Sequence, residues 1–306
     1  MARVAAIDCG TNSIRLLIAD VTSSGMREVV RDMEIVRLGE DVDTNKAFKT
    51  EAIDRTLTAV ATFRDEMRRR GVERVRFCAT SATRDARNRD LFIDGVESIL
   101  GIKPEVIPGL EEAQLSFLGA TSALADSDAP FLVVDIGGGS TEFVLGNSDV
   151  EYAASVNVGC VRMHERHLHE NPVSKEALER AIVDIDQAIE RASEQVPFDK
   201  ARSLIAVAGT ATTVAAAALE LESYDRDAIH LASIPAAEVH RIALMFQGSS
   251  REAIASKGYM HPGRVDVITA GSLVLSRVMI ATGMDHFIAS EQDILDGIAL
   301  SLADSH

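Results

Sequence analysis

The 306-residue chain has no apolar run near the ~18 consecutive residues that a membrane span requires, so no membrane segment is expected. No secretory leader is expected, because Arg3 leads at once into a short strand broken by polar residues. Only three cysteines occur, Cys9, Cys78 and Cys160, each in or beside an apolar segment. Their odd number and spacing argue against a disulfide framework or a cysteine metal site. They read as buried reduced thiols of a cytoplasmic protein. Positive charge is also scarce. Thirty-one Lys and Arg stand against 47 Asp and Glu, a net charge of −16 that argues against general binding to nucleic acid. What remains is ordinary for a soluble globular protein, with 46% hydrophobic and 25% charged residues in a length that suits two domains or one large one.

The most informative feature is a repeated turn. Asp8-Cys9-Gly10-Thr11-Asn12-Ser13 and Asp135-Ile136-Gly137-Gly138-Gly139-Ser140 align residue for residue at an offset of 127 (135 − 8). Each places an acid at the end of an apolar strand, then a small polar turn, then a second strand. Such turns can wrap backbone N–H groups around a phosphate while the acid holds a metal ion or a water. The pair points to phosphoryl chemistry, for which an acidic chain must gather positive charge locally or recruit cations.

The coarse pattern repeats with the turns. Arg3–Asp8, Ser13–Val21 and Met26–Leu38 read as an antiparallel meander, with a turn at Ser23-Ser24-Gly25. Thr50 is expected to cap a helix running to Arg70 and ended by Gly71. A buried strand over Arg74–Ala79 leads into a loop, Thr80-Ser81-Ala82-Thr83-Arg84. Helices follow over Leu91–Leu100 and from Leu110 to Ala125. The polar break Asp126-Ser127-Asp128-Ala129-Pro130 is the best domain boundary. Beyond it the plan recurs: strands over Phe131–Asp135, Glu142–Leu145, Glu151–Asn157 and Ser203–Ala208, then helices and a closing helix over Asp293–Leu302. Duplication of one α/β domain is the simplest account.

Several residues are candidates for chemistry. Gly137, Gly138 and Gly139 carry no side chain to obstruct a phosphate and can reach positive φ. Ser140 and Thr141 add hydroxyl donors. Gly10, Thr11, Asn12 and Ser13 form the matching grip. Asp8 and Asp135 each need a partner. That partner is either Mg²⁺, which Glu142 could share with Asp135, or the turn's own N–H groups. Gly209-Thr210 opens a helix after a buried strand, where the helix dipole favours an anion, although simple capping by Thr210 gives the same pattern. Arg84 is placed to reach a phosphate in bidentate fashion. Glu111 and Glu112, taken alone, read as surface acids that stabilise a helix start. His164 and His167 could share a helix face but lack a third metal ligand at suitable spacing. The cluster Arg68-Arg69-Arg70 is either an anion track or a solvated helix end.

These segments together resemble the Ppx/GppA family of exopolyphosphatases and guanosine pentaphosphate phosphohydrolases, within the actin/hexokinase/Hsp70 ATPase superfamily. The matching stretches are Ala6–Ser13, Ala79–Arg84, Gly109–Ala113, Val134–Glu142 and Ala208–Thr210, in order along most of the chain. The chain looks like the short two-domain form found in actinobacteria, without the added C-terminal helical region of longer members. The resemblance implies two ribonuclease H-like α/β domains, residues 1–125 and 126–306, with a cleft between them and a closing helix that is a candidate to pack on the first domain. It changes the reading of the paired acids, because the second Glu of the family's Gly-x-Glu-Glu-Ala motif falls on Glu112 and is the proposed catalytic base. Mg²⁺ is the implied cofactor. Inorganic polyphosphate is the implied substrate, with guanosine pentaphosphate (pppGpp) as the alternative, and family members are commonly homodimers. A superfamily kinase, or a phosphate or nucleotide sensor without turnover, is the further alternative. The chain departs from the family at Asp293-Ile294-Leu295-Asp296-Gly297, where Gly-Leu-Arg-Glu-Gly is frequent. The lost basic residue is expected to bear on substrate range.

Overall fold

A computed structural model describes residues 2–22, 25–170 and 173–303. The described chain divides into two compact units. The first runs to Gly119 and resumes at Ile294, and the second spans Ala120–Asp293.

The first unit is built on five strands: β1 (Ala2–Cys9), β2 (Ser13–Thr22), β3 (Gly25–Ile35), β4 (Arg74–Ala79) and β5 (Glu105–Val106). Their order is β3-β2-β1-β4-β5, with β1, β2 and β3 antiparallel and β1, β4 and β5 parallel. Its helices are α1 (Val42–Asn45), α2 (Thr50–Arg70), α3 (Ser81–Asp85), α4 (Arg89–Leu100) and α5 (Gly109–Thr121). The second unit repeats the order. Strands β6 (Phe131–Ile136), β7 (Thr141–Gly146) and β8 (Val150–Val156) form the meander, and β9 (Ser203–Val207) lies parallel to β6. A short β10 (Ser233–Pro235) and β11 (His286–Ala289) complete the sheet as β10-β11-β9-β6-β7-β8. Around it lie α6 (Cys160–His167), α7 (Lys175–Ser193), α8 (Ala208–Ala218), α9 (Arg226–Ile229), α10 (Ala236–Gln247), α11 (Arg251–Ala255) and α12 (Ile268–Thr282). The closing helix α13 (Ile294–Ser301) belongs to the first unit.

The first sheet is buried on both faces, so its central strands read as unbroken apolar runs. Strand alternation sorts β1 into two cores. Ala5, Ile7 and Cys9 join the cluster with α2 and α4, whereas Val4 and Ala6 join a second cluster with Leu115 of α5 and Ile294, Leu295 and Ile298 of α13. Asp8 has the parity of Val4 and Ala6, which aims it toward the face that carries α5. Helix α13 is seated there by an ion pair, Arg31 Nη2 to buried Asp296 Oδ1 at 2.5 Å, and by Arg76 Nη1 donating to Ser301 Oγ at 2.9 Å.

Several local expectations are corrected. The third strand ends at Ile35 rather than Leu38, because the backbone at residues 36–39 turns to bond the first glycine turn. Ser23 and Ser24 lie outside the described residues. Thr50 is the first helical residue and Lys49 occupies the cap position, where no side chain caps the helix. The expected loop at residues 80–84 is mostly the single-turn helix α3. The division between units falls at Gly119 and Ala120, before the polar break.

Candidate active site

The two turns share one construction. In the second unit the Gly137 carbonyl accepts from Cys160 N at 3.0 Å, and that of Gly138 accepts from Val161 N at 2.9 Å and Arg162 N at 3.1 Å. The Gly139 carbonyl accepts from buried Arg162 Nε at 2.6 Å. In a trans peptide the N–H points opposite to the C=O. With three successive carbonyls drawn to one side, the N–H groups of Gly138, Gly139 and Ser140 project to the other, as an anion-binding concavity requires. The first unit does the same with the loop after β3. Thr11 O accepts from Gly39 N at 2.8 Å, and Asn12 O accepts from Val36 N at 3.1 Å and Arg37 N at 2.8 Å. The N–H groups of Asn12 and Ser13 are thereby turned outward. Each turn is closed by the same short bond, Gly10 N to Ser13 O at 2.9 Å and Gly137 N to Ser140 O at 3.0 Å.

The clasping loops need glycine for proximity. A Cβ on Gly159 would lie 2.4 Å from Gly138 O, and one on Gly39 would lie 2.3 Å from Thr11 Cγ2. The turn glycines themselves are not left-handed. Among the described residues, positive-φ glycines are Gly25, Gly71, Gly101 and Gly283. Gly137, Gly138 and Gly139 therefore serve by lacking side chains, not by adopting positive φ. Thr141 also differs from its expected role as a phosphate donor, since its Oγ1 donates to Val158 O at 2.7 Å and ties the turn to the loop before α6.

The acids that end the two first strands have different partners. Asp8 lies directly opposite Arg15, which donates to Asp8 Oδ2 from Nη2 at 2.6 Å and from Nε at 3.0 Å. At the equivalent register, Asp135 lies opposite Glu142, and Ser155 Oγ donates to Glu142 Oε1 at 2.7 Å. Both acids of this pair are buried. Two carboxylates facing each other across a ladder are a donor pair that a divalent cation can share. Among the described residues no group of three or more His, Cys, Asp or Glu side chains assembles. Two carboxylates, with substrate and water oxygens completing the shell, is the habit of Mg²⁺.

Glu112 stands in the first turn of α5 and is only 8% exposed. Arg84 Nη1 donates to Glu112 Oε2 at 2.7 Å and to Ile107 O at 2.9 Å. Burial raises the Glu112 pKa above the ordinary carboxylate value. The Arg84 charge and hydrogen bond and a hydrogen bond from Thr80 pull it down, while the charge of Asp8 pushes it up. The first unit thus brings Asp8, Thr80, Arg84 and Glu112 together. Arg84 is engaged with the acid rather than presented alone to a phosphate.

The third turn begins α8 at a strained point, Ala208, whose φ is +64°. Gly209 is overlain by a guanidinium, since a Cβ there would lie 2.4 Å from Arg264 Cζ. Arg264 Nη1 donates to Thr213 Oγ1 at 3.1 Å, and Thr213 donates to Gly209 O at 2.6 Å. Thr210 packs against Gly271, where a Cβ would fall 2.5 Å from the Thr210 hydroxyl. Thr210 is not the cap, because the helix starts at Ala208 after Val207.

A family model described as the Ppx/GppA phosphatase family matches residues 17–306. The chain belongs to the Ppx/GppA phosphatase family. It is 45% identical to Exopolyphosphatase 2 of Mycobacterium tuberculosis, with 99% of each chain covered. It is 34% identical to a guanosine-5'-triphosphate,3'-diphosphate pyrophosphatase of Photobacterium profundum, over 62% of this chain and 38% of that protein. Among solved structures, an exopolyphosphatase-like protein matches with a TM-score of 0.97 at 43% identity, covering 99% of this chain and 98% of that one. An exopolyphosphatase from Cytophaga hutchinsonii matches with a TM-score of 0.87 at 26% identity, covering 98% and 97%.

Within this Ppx/GppA chain the other sequence candidates lie apart from the turns or serve the scaffold. His167 pairs with Asp184 at 3.0 Å, and Arg69 and Arg70 at the end of α2 pair with Glu66. Gly39, Gly159, Arg162 and Arg264 do not stand out in the sequence. The glycines each follow the third strand of a meander, a position that the internal repeat could have flagged. Arg162 and Arg264 act on backbone and on a turn distant in sequence, which no local pattern reveals.

Proposed function

We propose that this chain is an exopolyphosphatase that releases the terminal phosphate of inorganic polyphosphate by attack of water, with Glu112 as the general base. The observation that carries the reaction type is a buried carboxylate whose pKa is raised by burial and restrained by Arg84. A carboxylate poised in this way can orient a water and take its proton during in-line attack on phosphorus. The outward N–H groups of residues 12, 13 and 138–140 are assigned to phosphate oxygens, where fixed dipoles stabilise developing charge. Gly209 and Thr210 are assigned a further phosphate contact at the start of α8. Asp135 and Glu142 are assigned to Mg²⁺, whose chemistry when bound is to offset charge on the phosphate oxygens. The three cysteines are free and buried, which supports placing the enzyme in the cytoplasm.

The full-length likeness to the mycobacterial exopolyphosphatase supports polyphosphate over pppGpp as substrate, since the relative named for the guanosine nucleotide matches a smaller share of the chain. Phosphate release measured side by side on polyphosphate and pppGpp, with Mg²⁺, tests this. A higher kcat/KM on polyphosphate is expected, and preference for pppGpp would reverse the assignment.

A further inference from the structure

Positive charge is scarce in this chain and unevenly placed. Residues 1–119 carry 18 Lys and Arg against 20 Asp and Glu, whereas residues 120–306 carry 13 against 27. Within the first unit the fold gathers arginines at the end of the sheet opposite the first glycine turn. Arg3 lies at the start of β1, and Cys9, beside the turn, ends it, so about 20 Å separates the two. Arg27 lies opposite Asp20, Asp20 opposite Arg3, and Arg74 opposite Val4. Arg3 Nη1 donates to Arg70 O at 2.9 Å, which fixes the last turn of α2, with Arg68, Arg69 and Arg70, at the same end. The acids there are fewer. Asp20 serves both Arg3 and Arg27, Glu66 serves both Arg69 and Arg70, and Glu73 lies near Arg3. Exposed Arg68 and half-buried Arg74 have no ion-pair partner among the described residues. Complementing the helix dipole accounts for arginines at the end of α2. It does not account for Arg3, Arg27 and Arg74, which three different strands deliver to the same place.

We propose that this basic end of the first unit is a second binding site, for the distal part of a long polyphosphate chain whose terminal phosphate is in the active site. The proposal rests on the exopolyphosphatase reading and adds where the rest of the substrate is held. Every phosphate of the tail brings negative charge, which a protein of net charge −16 repels unless a local surplus of cations receives it. Guanidinium groups suit that task, because they meet phosphate oxygens through paired N–H donors and stay charged at any working pH. Standing about 20 Å from the first turn, the site holds a long, flexible chain and is out of reach of a short one.

The test is the KM for long-chain polyphosphate and for tripolyphosphate, with Mg²⁺, in the wild type and in a variant carrying Arg68→Glu and Arg74→Glu. Neither residue has an ion-pair partner to lose, so the variant should fold. Its KM for the long chain should rise about 10-fold, with kcat and both constants on tripolyphosphate unchanged. Long-chain binding should also depend less on salt, the log–log slope falling by about two. An unchanged long-chain KM overturns the proposal, as does an equal loss on tripolyphosphate. If the wild type releases phosphate from neither substrate, the exopolyphosphatase reading fails. The surface is then judged by fluorescence anisotropy of end-labelled long-chain polyphosphate, which the variant should bind about 10-fold more weakly, and equal affinity overturns the proposal. Single-stranded RNA that displaces the labelled chain at equal phosphate concentration would make the surface a general polyanion site and overturn its assignment to polyphosphate.

Discussion

Replacing Gly159 by alanine tests the construction of the second turn. A Cβ at this position would lie 2.4 Å from Gly138 O, 2.5 Å from Gly138 C and 2.7 Å from Gly139 N. All three are backbone atoms of the second glycine turn, so no side chain can swing aside. Restoring ordinary contact needs a displacement of about 1 Å between the loop before α6 and the turn. Overpacking of this kind costs about 1–3 kcal/mol, which corresponds to roughly 2–4 °C in Tm per kcal/mol for a unit of this size. The functional loss should be larger. A misplacement of about 1 Å in a positioning element is worth roughly 100-fold in rate. Gly159→Ala should therefore fold, melt several degrees lower, and release phosphate about 100-fold more slowly. Gly248 is the control. It is exposed at the end of α10, a methyl added there would meet no atom nearer than 3.6 Å, and it should tolerate alanine. Wild-type turnover in Gly159→Ala would refute the idea that the loop sets the turn.

Other perturbations follow from the same geometry. Arg84→Gln removes the charge that lowers the Glu112 pKa, so the acidic limb of the pH–rate profile should move to higher pH, each unit being about 1.4 kcal/mol. An unmoved limb would remove Arg84 from control of the base. Because burial raises the folded-state pKa of Glu112, its ionisation opposes folding. That cost is absent below its unfolded pKa and grows as pH rises through the folded value. Glu112→Gln should accordingly show a higher Tm than the wild type at neutral pH, a gain that fades on acidification in thermal melts. Arg31→Ala removes the guanidinium that pairs with buried Asp296 and should destabilise the first unit by about 3 kcal/mol, measured by denaturant unfolding. Gly297→Ala drives a Cβ to within 1.9 Å of Leu115 O and should loosen α13 from α5, measured as faster amide exchange in the closing helix.

Much of the fold is legible in the sequence because its signals are local. The glycine turns, the apolar strands around them and the end of α2 at Gly71 follow from pattern and turn chemistry. The repeat predicts one plan for both halves, and five strands of each sheet run in the same order, with β10 added at the edge of the second. What the sequence withheld depends on contacts between distant segments. The loop at residues 36–39 reads as a continuing strand because Val36 and Leu38 keep the alternation, yet its N–H groups serve the carbonyls of Thr11 and Asn12. Glu112 reads as a surface acid because two acids at a helix start are common, and its burial follows only once α5 packs on the face of β1 that carries Asp8. Arg15 sits within an apolar strand, where nothing in the sequence says that it points at Asp8. The strain at Ala208 belongs to a residue type that gives no hint of positive φ.

The proposed mechanism turns on Glu112 taking the proton from the attacking water. Phosphate release from polyphosphate by Glu112→Gln, with Mg²⁺ present and folding verified by circular dichroism, tests it most directly. A general base of this kind contributes roughly 100- to 10,000-fold, so kcat should fall by at least about 100-fold with KM little changed. Turnover within a few-fold of the wild type would contradict it.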